Sequence, residues 1–278
     1  MAVITIRKAT SADRTQVLQV EKLSTPGLQY LPHVYELFLS DERGEFSVAE
    51  IEGEVVACAK FTVLPDESAW LETIRVVPAR QGLGIGKRFY ENYFAIAQRE
   101  GVRTMRMYTG VRNAVSKGLA ERFGFQLEET FTEMSFDVSE MESGEVGGFR
   151  PISDPAEAIG RIMPHAASWG GYLVMNRTFY TLSPALCTTL AQRGFVYASG
   201  DNTVVLGARF MPQTALHLGF FAGDPTACLN FATHQAVQRG VTKIFCLFPS
   251  RVGGLQGVLE GGGFRPKPSE LIVMTSSV

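Results

Sequence analysis

Apolar residues alternate with others along Met1-Ala-Val-Ile-Thr-Ile-Arg-Lys8, and Trp70-Leu-Glu-Thr-Ile-Arg-Val-Val77 alternates like a strand as well. A period of two belongs to strands. Pro78 ends the second strand, because its ring has no N–H to offer a ladder. Ile85, Phe89, Tyr93, Ile96 and Ala97 then keep a helical period until Gly101, which predicts a helix with one apolar face and a glycine stop. Between strand and helix lies Arg80-Gln-Gly-Leu-Gly-Ile-Gly86.

The same order recurs later in the chain. Gln98-Arg99 leads through Gly101-Val102 to Gly124-Phe125, and Gln238-Arg239 leads through Gly240-Val241 to Gly263-Phe264, each glycine pair 23 positions apart. Both segments predict helix, glycine stop, apolar strand (residues 104–108 and 243–248), short helix and Gly-Phe. Arg112, Gly118 and Glu121 recur as Arg251, Gly257 and Glu260, and the openings Ile6-Arg7 and Phe149-Arg150 are each followed by Ser, Asp and a helix. An internal duplication accounts for this shared order. Residues 138–148, short of large apolar residues and rich in Gly, Ser and Glu, predict the linker, with domains at 1–140 and 148–278.

Composition narrows the function classes. The 278 residues are 45% hydrophobic and 19% charged with a net charge of −2, a globular balance that lacks the positive footprint of a nucleic-acid binder. No apolar run reaches the ~18–20 residues of a membrane span, and the first residues read as a strand rather than a signal, so no membrane partner and a cytoplasmic location are expected. The halves differ in charge: residues 1–147 hold 16 basic and 22 acidic residues, residues 148–278 hold 10 and 6. The sparsely charged second half predicts apolar surface that packs on the first half or on another subunit, compatible with a homodimer. Cys58, Cys187, Cys228 and Cys246 are far apart, and His33, His165, His217 and His234 are scattered, which predicts buried thiols, no disulfide and no metal.

Strand, glycine loop and helix start form a geometry for phosphate, since backbone N–H groups converge at the positive helix end and glycines let an anion approach without a Cβ in the way. A dinucleotide fingerprint wants Gly-x-Gly-x-x-Gly near the first strand and an acid about 20 positions on, and Gly101 stands where that acid is due. A Walker loop wants Gly-Lys-Ser/Thr, and Gly86-Lys87 is followed by Arg88. A turn that merely joins strand to helix is the remaining alternative.

Gln81-x-x-Gly84-x-Gly86 after Val-x-Pro, with Asn113-x-x-Ser-x-x-Leu-x-x-x-x-Gly124-Phe125 some thirty residues on, resembles the acyl-CoA-binding signatures of the GNAT superfamily of N-acetyltransferases. The resemblance covers residues 1–137 in element order: strand, helices at 11–23 and 31–40, a hairpin around Glu52-Gly53, the Trp70 strand, loop and helix, then strand, helix and closing strands. It implies an α+β (mixed α/β) fold of two GNAT-like domains, each a central mixed, mostly antiparallel sheet flanked by helices. Acetyl-CoA is the implied cosubstrate, held by Ile74, Val76, Val77, Gln81, Gly82, Leu83, Gly84, Ile85, Gly86, Lys87, Asn113 and Ser116. In the second half Val252 replaces Asn113, and Gly223-Asp-Pro-Thr-Ala-Cys-Leu stands where the loop belongs, so the second copy is expected to be degenerate, as in tandem GNAT enzymes. The layout is also weakly reminiscent of the histidine N-acetyltransferase group.

The resemblance implies that an amine attacks the thioester directly. Backbone N–H groups near Val76 and Val77 are expected to hold the oxyanion. Alternation places Glu72 on one face with Ile74 and Val76 and puts Arg75 on the other, which makes Glu72 the candidate base, the alternative being a structural carboxylate paired elsewhere. Where many GNAT enzymes carry a tyrosine acid this chain has Ala120, leaving Tyr108 and Ser116 as substitutes. Tyr30 and His33, in a Pro- and Gly-punctuated segment between the first two helices, are the acceptor-site candidates. The implied acceptor is a small-molecule amine or amino acid. The rival readings are a peptide or protein N-acetyltransferase and an acyl-CoA-binding regulatory protein without turnover.

Overall fold

The computed structural model describes residues 3–138 and 147–278, so most of the expected linker lies outside the described residues. In chain order the elements are β1 (Ile4–Lys8), α1 (Arg14–Ser24), α2 (Leu31–Leu39), β2 (Glu45–Ile51), β3 (Glu54–Val63), β4 (Ala69–Val76), α3 (Ile85–Glu100), β5 (Thr104–Gly110), α4 (Ala114–Arg122) and β6 (Gln126–Asp137). There follow β7 (Arg150–Pro151), α5 (Pro155–Ile162), β8 (Tyr172–Met175), β9 (Thr178–Thr181), α6 (Pro184–Gln192), β10 (Val196–Ser199), β11 (Asn202–Gly207), β12 (Leu216–Ala222), α7 (Pro225–Gln238), β13 (Lys243–Pro249), α8 (Gly254–Gly261), β14 (Arg265–Pro266) and β15 (Leu271–Ser277). No helix among the described residues is long and apolar enough to cross a membrane.

Two compact units divide the chain, and they do not follow the 140/148 split read from composition. The first comprises Met1–Thr109, Asn113–Glu128 and Met274–Val278; the second comprises Gly110–Arg112 and Glu129–Val273. The difference lies in the closing strands. Met274–Val278 belongs to the first unit, where Val278 N–H donates to the Arg103 carbonyl at 3.0 Å and β15 lies beside β5. Most of β6 belongs to the second unit, pairing antiparallel with β13 from Phe131↔Pro249 to Asp137↔Lys243. Strand exchange of this kind leaves no composition signal, because each strand keeps an ordinary apolar pattern wherever it pairs.

In the first unit β1, β2, β3 and β4 pair antiparallel in chain order, and β5 joins β4 in parallel. The β2–β3 hairpin turns at Glu52 (φ 53°) and Gly53 (φ 82°), two positive dihedrals as a two-residue hairpin of right-handed twist requires. In α3, Phe89, Tyr90, Tyr93, Ile96 and Ala97 are buried while Lys87 and Arg88 are exposed, so the apolar face read from sequence is the packed one. The second unit repeats the order: β7, β10, β11 and β12 pair antiparallel, β13 joins β12 in parallel, and α7 crosses between them. The repeat extends to backbone detail, for Gly101 and Gly240 stop α3 and α7 at φ 69° and 65°, and Gly124 and Gly263 follow α4 and α8 at 80° and 87°. All four cysteines are buried free thiols.

At the start of the first unit, both Asp13 oxygens accept from Arg7 at 2.8 Å, and one also accepts from the Thr10 backbone and hydroxyl at 2.8 and 2.9 Å. The Arg7 hydrogen bonds outweigh burial and hold the Asp13 carboxyl down at about 2. A depressed carboxyl pKa contributes stability that is present above its unfolded value and is lost as pH falls through the folded one. Asp13→Asn should therefore cost about 1–2 kcal/mol near neutral pH, discounted because Arg7 is partly solvated. The gap to wild type should close between pH 4 and 2 in urea denaturation, and a gap independent of pH would contradict the assignment.

A separate fragment tests the exchanged strands. Residues 1–140 alone would leave β5 without Met274–Val278 and β6 without β13, two unpaired strand edges. Such a fragment should aggregate or stay unfolded by circular dichroism, whereas a monodisperse folded fragment would show that the exchange does not matter for stability.

Candidate active site

Pairing of β4 with β5 runs from Ala69↔Met105 to Leu71↔Met107 and stops there, although β4 continues to Val76 and β5 to Gly110. Past Leu71 the two strands part. The cause lies on the other edge of β4, where Cys58 faces Arg75 and Lys60 faces Glu72: β3 advances two residues while β4 advances three. This is a β-bulge at Thr73 and Ile74, and it increases local twist and bends the strand. Thr73 sits at φ 66°, a left-handed conformation that a β-branched residue adopts only under constraint. Its hydroxyl is within 2.7 Å of the Tyr30 hydroxyl, at the start of α2.

The bulge corrects the face assignment made by alternation. Cys58 and Lys60, two apart on β3, share a face, so Arg75 and Glu72 opposite them share that face too. It is the side covered by α1 and α2: Lys60 is buried at the end of α2, paired with Asp41 and under the Phe38 ring, and Arg75 lies over the Tyr30 ring, 5.8 Å from its centroid. Glu72 is buried and accepts from the Thr62 hydroxyl at 2.7 Å. Burial drives the Tyr30 hydroxyl pKa upward, and Arg75, Glu72 and Tyr108 all act on it electrostatically, which brings these four side chains into one neighbourhood. Tyr108 stacks on Trp70 with ring centroids 5.9 Å apart.

Backbone donors divide by the ladder. Val77 N–H donates to the Val56 carbonyl at 3.0 Å, so it is not available to an oxyanion, contrary to expectation. In an antiparallel pair the next residue points its N–H the other way, which aims Val76 N–H away from β3 toward the parted side of β4. The Gln81 side chain donates to the Val76 carbonyl at 3.2 Å and ties the following loop to the strand end.

Beyond Pro78–Arg80, a short 3-10 turn, the loop enters α3 through Gly82 (φ 79°) and Gly84 (φ 84°). The first N–H groups of a helix have no partner within it, and at Ile85, Gly86 and Lys87 no side chain caps them. A Cβ on Gly82 or Gly84 would meet nothing within 4 Å, so open space lies over both. That fits a pyrophosphate lying on backbone N–H groups. Gly86 differs: a Cβ there would meet Leu119 Cδ2 at 2.8 Å, so its role is close packing of α3 on α4. Leu83 is exposed, Ile85 is buried, and Lys87 is largely exposed beside Glu91 at 3.7 Å.

The remaining candidates have mostly structural positions. Asn113 caps α4, its side chain accepting from Ser116 N–H at 3.1 Å. Ala120 is buried. His33 is exposed on α2 and is not brought to the Tyr30 cluster. Thr73 and Arg75 are the members that alternation missed; the signal available in sequence was only a threonine and an arginine inside an apolar strand.

Among its described residues the second unit lacks this arrangement. Two residues, Gly223 and Asp224, connect β12 to α7, and the Asp224 carboxylate accepts from Thr226 N–H at 3.1 Å and Ala227 N–H at 3.3 Å. Its own acid occupies the helix end and repels a second anion.

The parted end of β4 thus lies directly before a helix end whose first N–H groups no side chain caps. Residues 13–125 match the family model described as Acetyltransferase (GNAT) family, and the chain thus carries a GNAT acetyltransferase domain. Among solved structures it is similar to a GCN5-related N-acetyltransferase from Sphaerobacter thermophilus (13% identity, 99% of this chain and 95% of that one, TM-score 0.67). It is also similar to a tandem GNAT protein from the clavulanic acid biosynthesis pathway (12% identity, 100% and 98%, TM-score 0.65). A third is a glucosamine N-acetyltransferase region of a fungal multi-domain beta-N-acetylglucosaminidase (12%, 99% and 38%, TM-score 0.71). These likenesses show the fold, one shared with a tandem GNAT protein. No curated protein matches.

Gly84→Val should force a β-branched side chain into φ 84° and fill the open space over the helix end. Calorimetry should show acetyl-CoA affinity falling at least about tenfold, one donor–anion interaction set being lost. Gly86→Val should instead lower the melting temperature through its Leu119 contact. Unchanged affinity in folded Gly84→Val would contradict the cradle.

Proposed function

We propose that the first unit is an acetyl-CoA-dependent N-acetyltransferase that moves an acetyl group to the primary amine of a small molecule or amino acid by direct attack on the thioester. The observation that carries this reading is the uncapped α3 N-terminus placed directly after a strand that the bulge has turned away from its neighbour. Gly82, Gly84 and the first α3 N–H groups would hold the pyrophosphate, with exposed Lys87 adding charge. Acetyl-CoA supplies the activated acyl group when bound.

Glu72 accepts the ammonium proton, directly or through a water, from a position beside Tyr30 and Arg75. Val76 N–H offers a fixed donor to the oxygen that gains charge as the amine attacks. A coenzyme A thiol, with a pKa of roughly 8.5 by analogy with cysteine, is a tolerable leaving group, so the buried Ala120 need not abolish turnover. Tyr108, in the neighbourhood of Tyr30, is the candidate hydroxyl for returning a proton. Ala120 also supports a second reading, an acyl-CoA-binding protein without turnover. Thiol release from acetyl-CoA with pooled amines and amino acids separates the two: release supports the enzyme, and saturable binding without release supports the sensor.

Glu72→Gln keeps the shape of the side chain and removes the base, so kcat should fall about 10²–10⁴-fold with little change in acetyl-CoA affinity. Raising the pH should partly restore the rate by supplying free amine. A variant with the wild-type rate and the wild-type acidic limb would rule Glu72 out as the base.

A further inference from the structure

We propose that Arg75 receives a carboxylate of the acceptor, so that the amine acetylated by this domain belongs to an amino acid; this rests on the acetyl-transfer reading above. Residues three apart on an unbroken strand point to opposite faces. Here the bulge at Thr73 and Ile74 absorbs one residue, and Glu72 and Arg75 come to lie on one face at the spacing of next-but-one residues, roughly 7 Å between Cα atoms. A carboxylate and a guanidinium at that spacing match a zwitterion, whose ammonium and carboxylate are held a few ångströms apart by one or two carbons. Glu72 takes the ammonium end and its proton, and Arg75 takes the other end.

The state of Arg75 agrees with this. It forms no ion pair among the described residues, and its Nε is buried without a hydrogen-bond partner among them. A buried guanidinium N–H without an acceptor is costly, and a ligand carboxylate supplies two oxygens in the geometry its planar fork prefers. The guanidinium is also positioned: it lies over the Tyr30 ring, and Tyr30 is held by Thr73 through its hydroxyl and by Glu21, whose carboxylate accepts from Tyr30 N–H at 3.1 Å. Glu21, the other acid of this neighbourhood, is engaged further by Leu31 N–H at 3.2 and 3.1 Å, so its oxygens serve the start of α2. On the face covered by α1 and α2, Arg75 is thus left with a buried Nε that no acceptor among the described residues meets.

The test pairs standard amino acids with their carboxamides, and adds phosphoethanolamine as an amine carrying a different anion. In thiol-release assays the wild type should favour the carboxylate over the carboxamide by about 10- to 100-fold in kcat/KM, the range for a charge-assisted contact. Arg75→Gln should lose that preference mainly through KM, while keeping acetyl-CoA affinity, and Arg75→Lys should restore part of it. Equal use of carboxylate and carboxamide by the wild type, or a preference that survives in Arg75→Gln, would overturn the proposal, as would a preference for phosphoethanolamine. Absence of release with every compound would count against acetyl transfer itself. Calorimetry of the same pairs then still decides the anion site: carboxylate-selective binding lost in Arg75→Gln supports it, and no selective binding overturns it.

Discussion

One extra residue in β4 organises the first unit. The bulge at Thr73 and Ile74 bends the strand away from β5, turns Val76 N–H into the space thereby opened, and places Glu72 and Arg75 on one face. A threonine at φ 66° does not hold itself in that conformation; the Tyr30 hydroxyl beside its side chain does, and Glu21 holds Tyr30. The α1–α2 connection is thereby coupled to the shape of the strand it covers. Tyr30, Glu21 and the bent end of β4 are parts of one constraint.

The two copies of the fold differ most where their crossover helices begin. Element order, parallel crossover and glycine stops are shared, yet α3 begins after a long glycine loop with its N–H groups uncapped, and α7 begins two residues after its strand with Asp224 on the same groups. Helix dipole and backbone donors are present in both. A capping carboxylate satisfies them in the second, which favours stability of α7 over ligand binding.

Much of this was legible in the residues. The strand at β4, Pro78 just beyond its end, the apolar face of α3 and the repeated Gly-Phe spacing each rest on local chemistry, and the structure has all of them. What was illegible depends on pairing. Alternation put Glu72 and Arg75 on opposite faces, because a bulge is visible only from the partner strand. Val77 looked like an oxyanion donor until Val56 was seen to take its N–H. The boundary near 140 reflected a change of composition, whereas the closing strands β6 and β15 are assigned by tertiary pairing that no local signal carries. His33 had suitable chemistry for a site but faces solvent on α2.

The most direct test of the account is amide chemical-shift mapping of the whole chain titrated with acetyl-CoA. The structure predicts that the N–H resonances of Gly82, Gly84, Ile85 and Val76 move with saturation, while Thr226 and Ala227 at the start of α7 stay in place. Shifts centred on Thr226 and Ala227, or saturable binding that leaves Val76 and Gly84 unmoved, would contradict it.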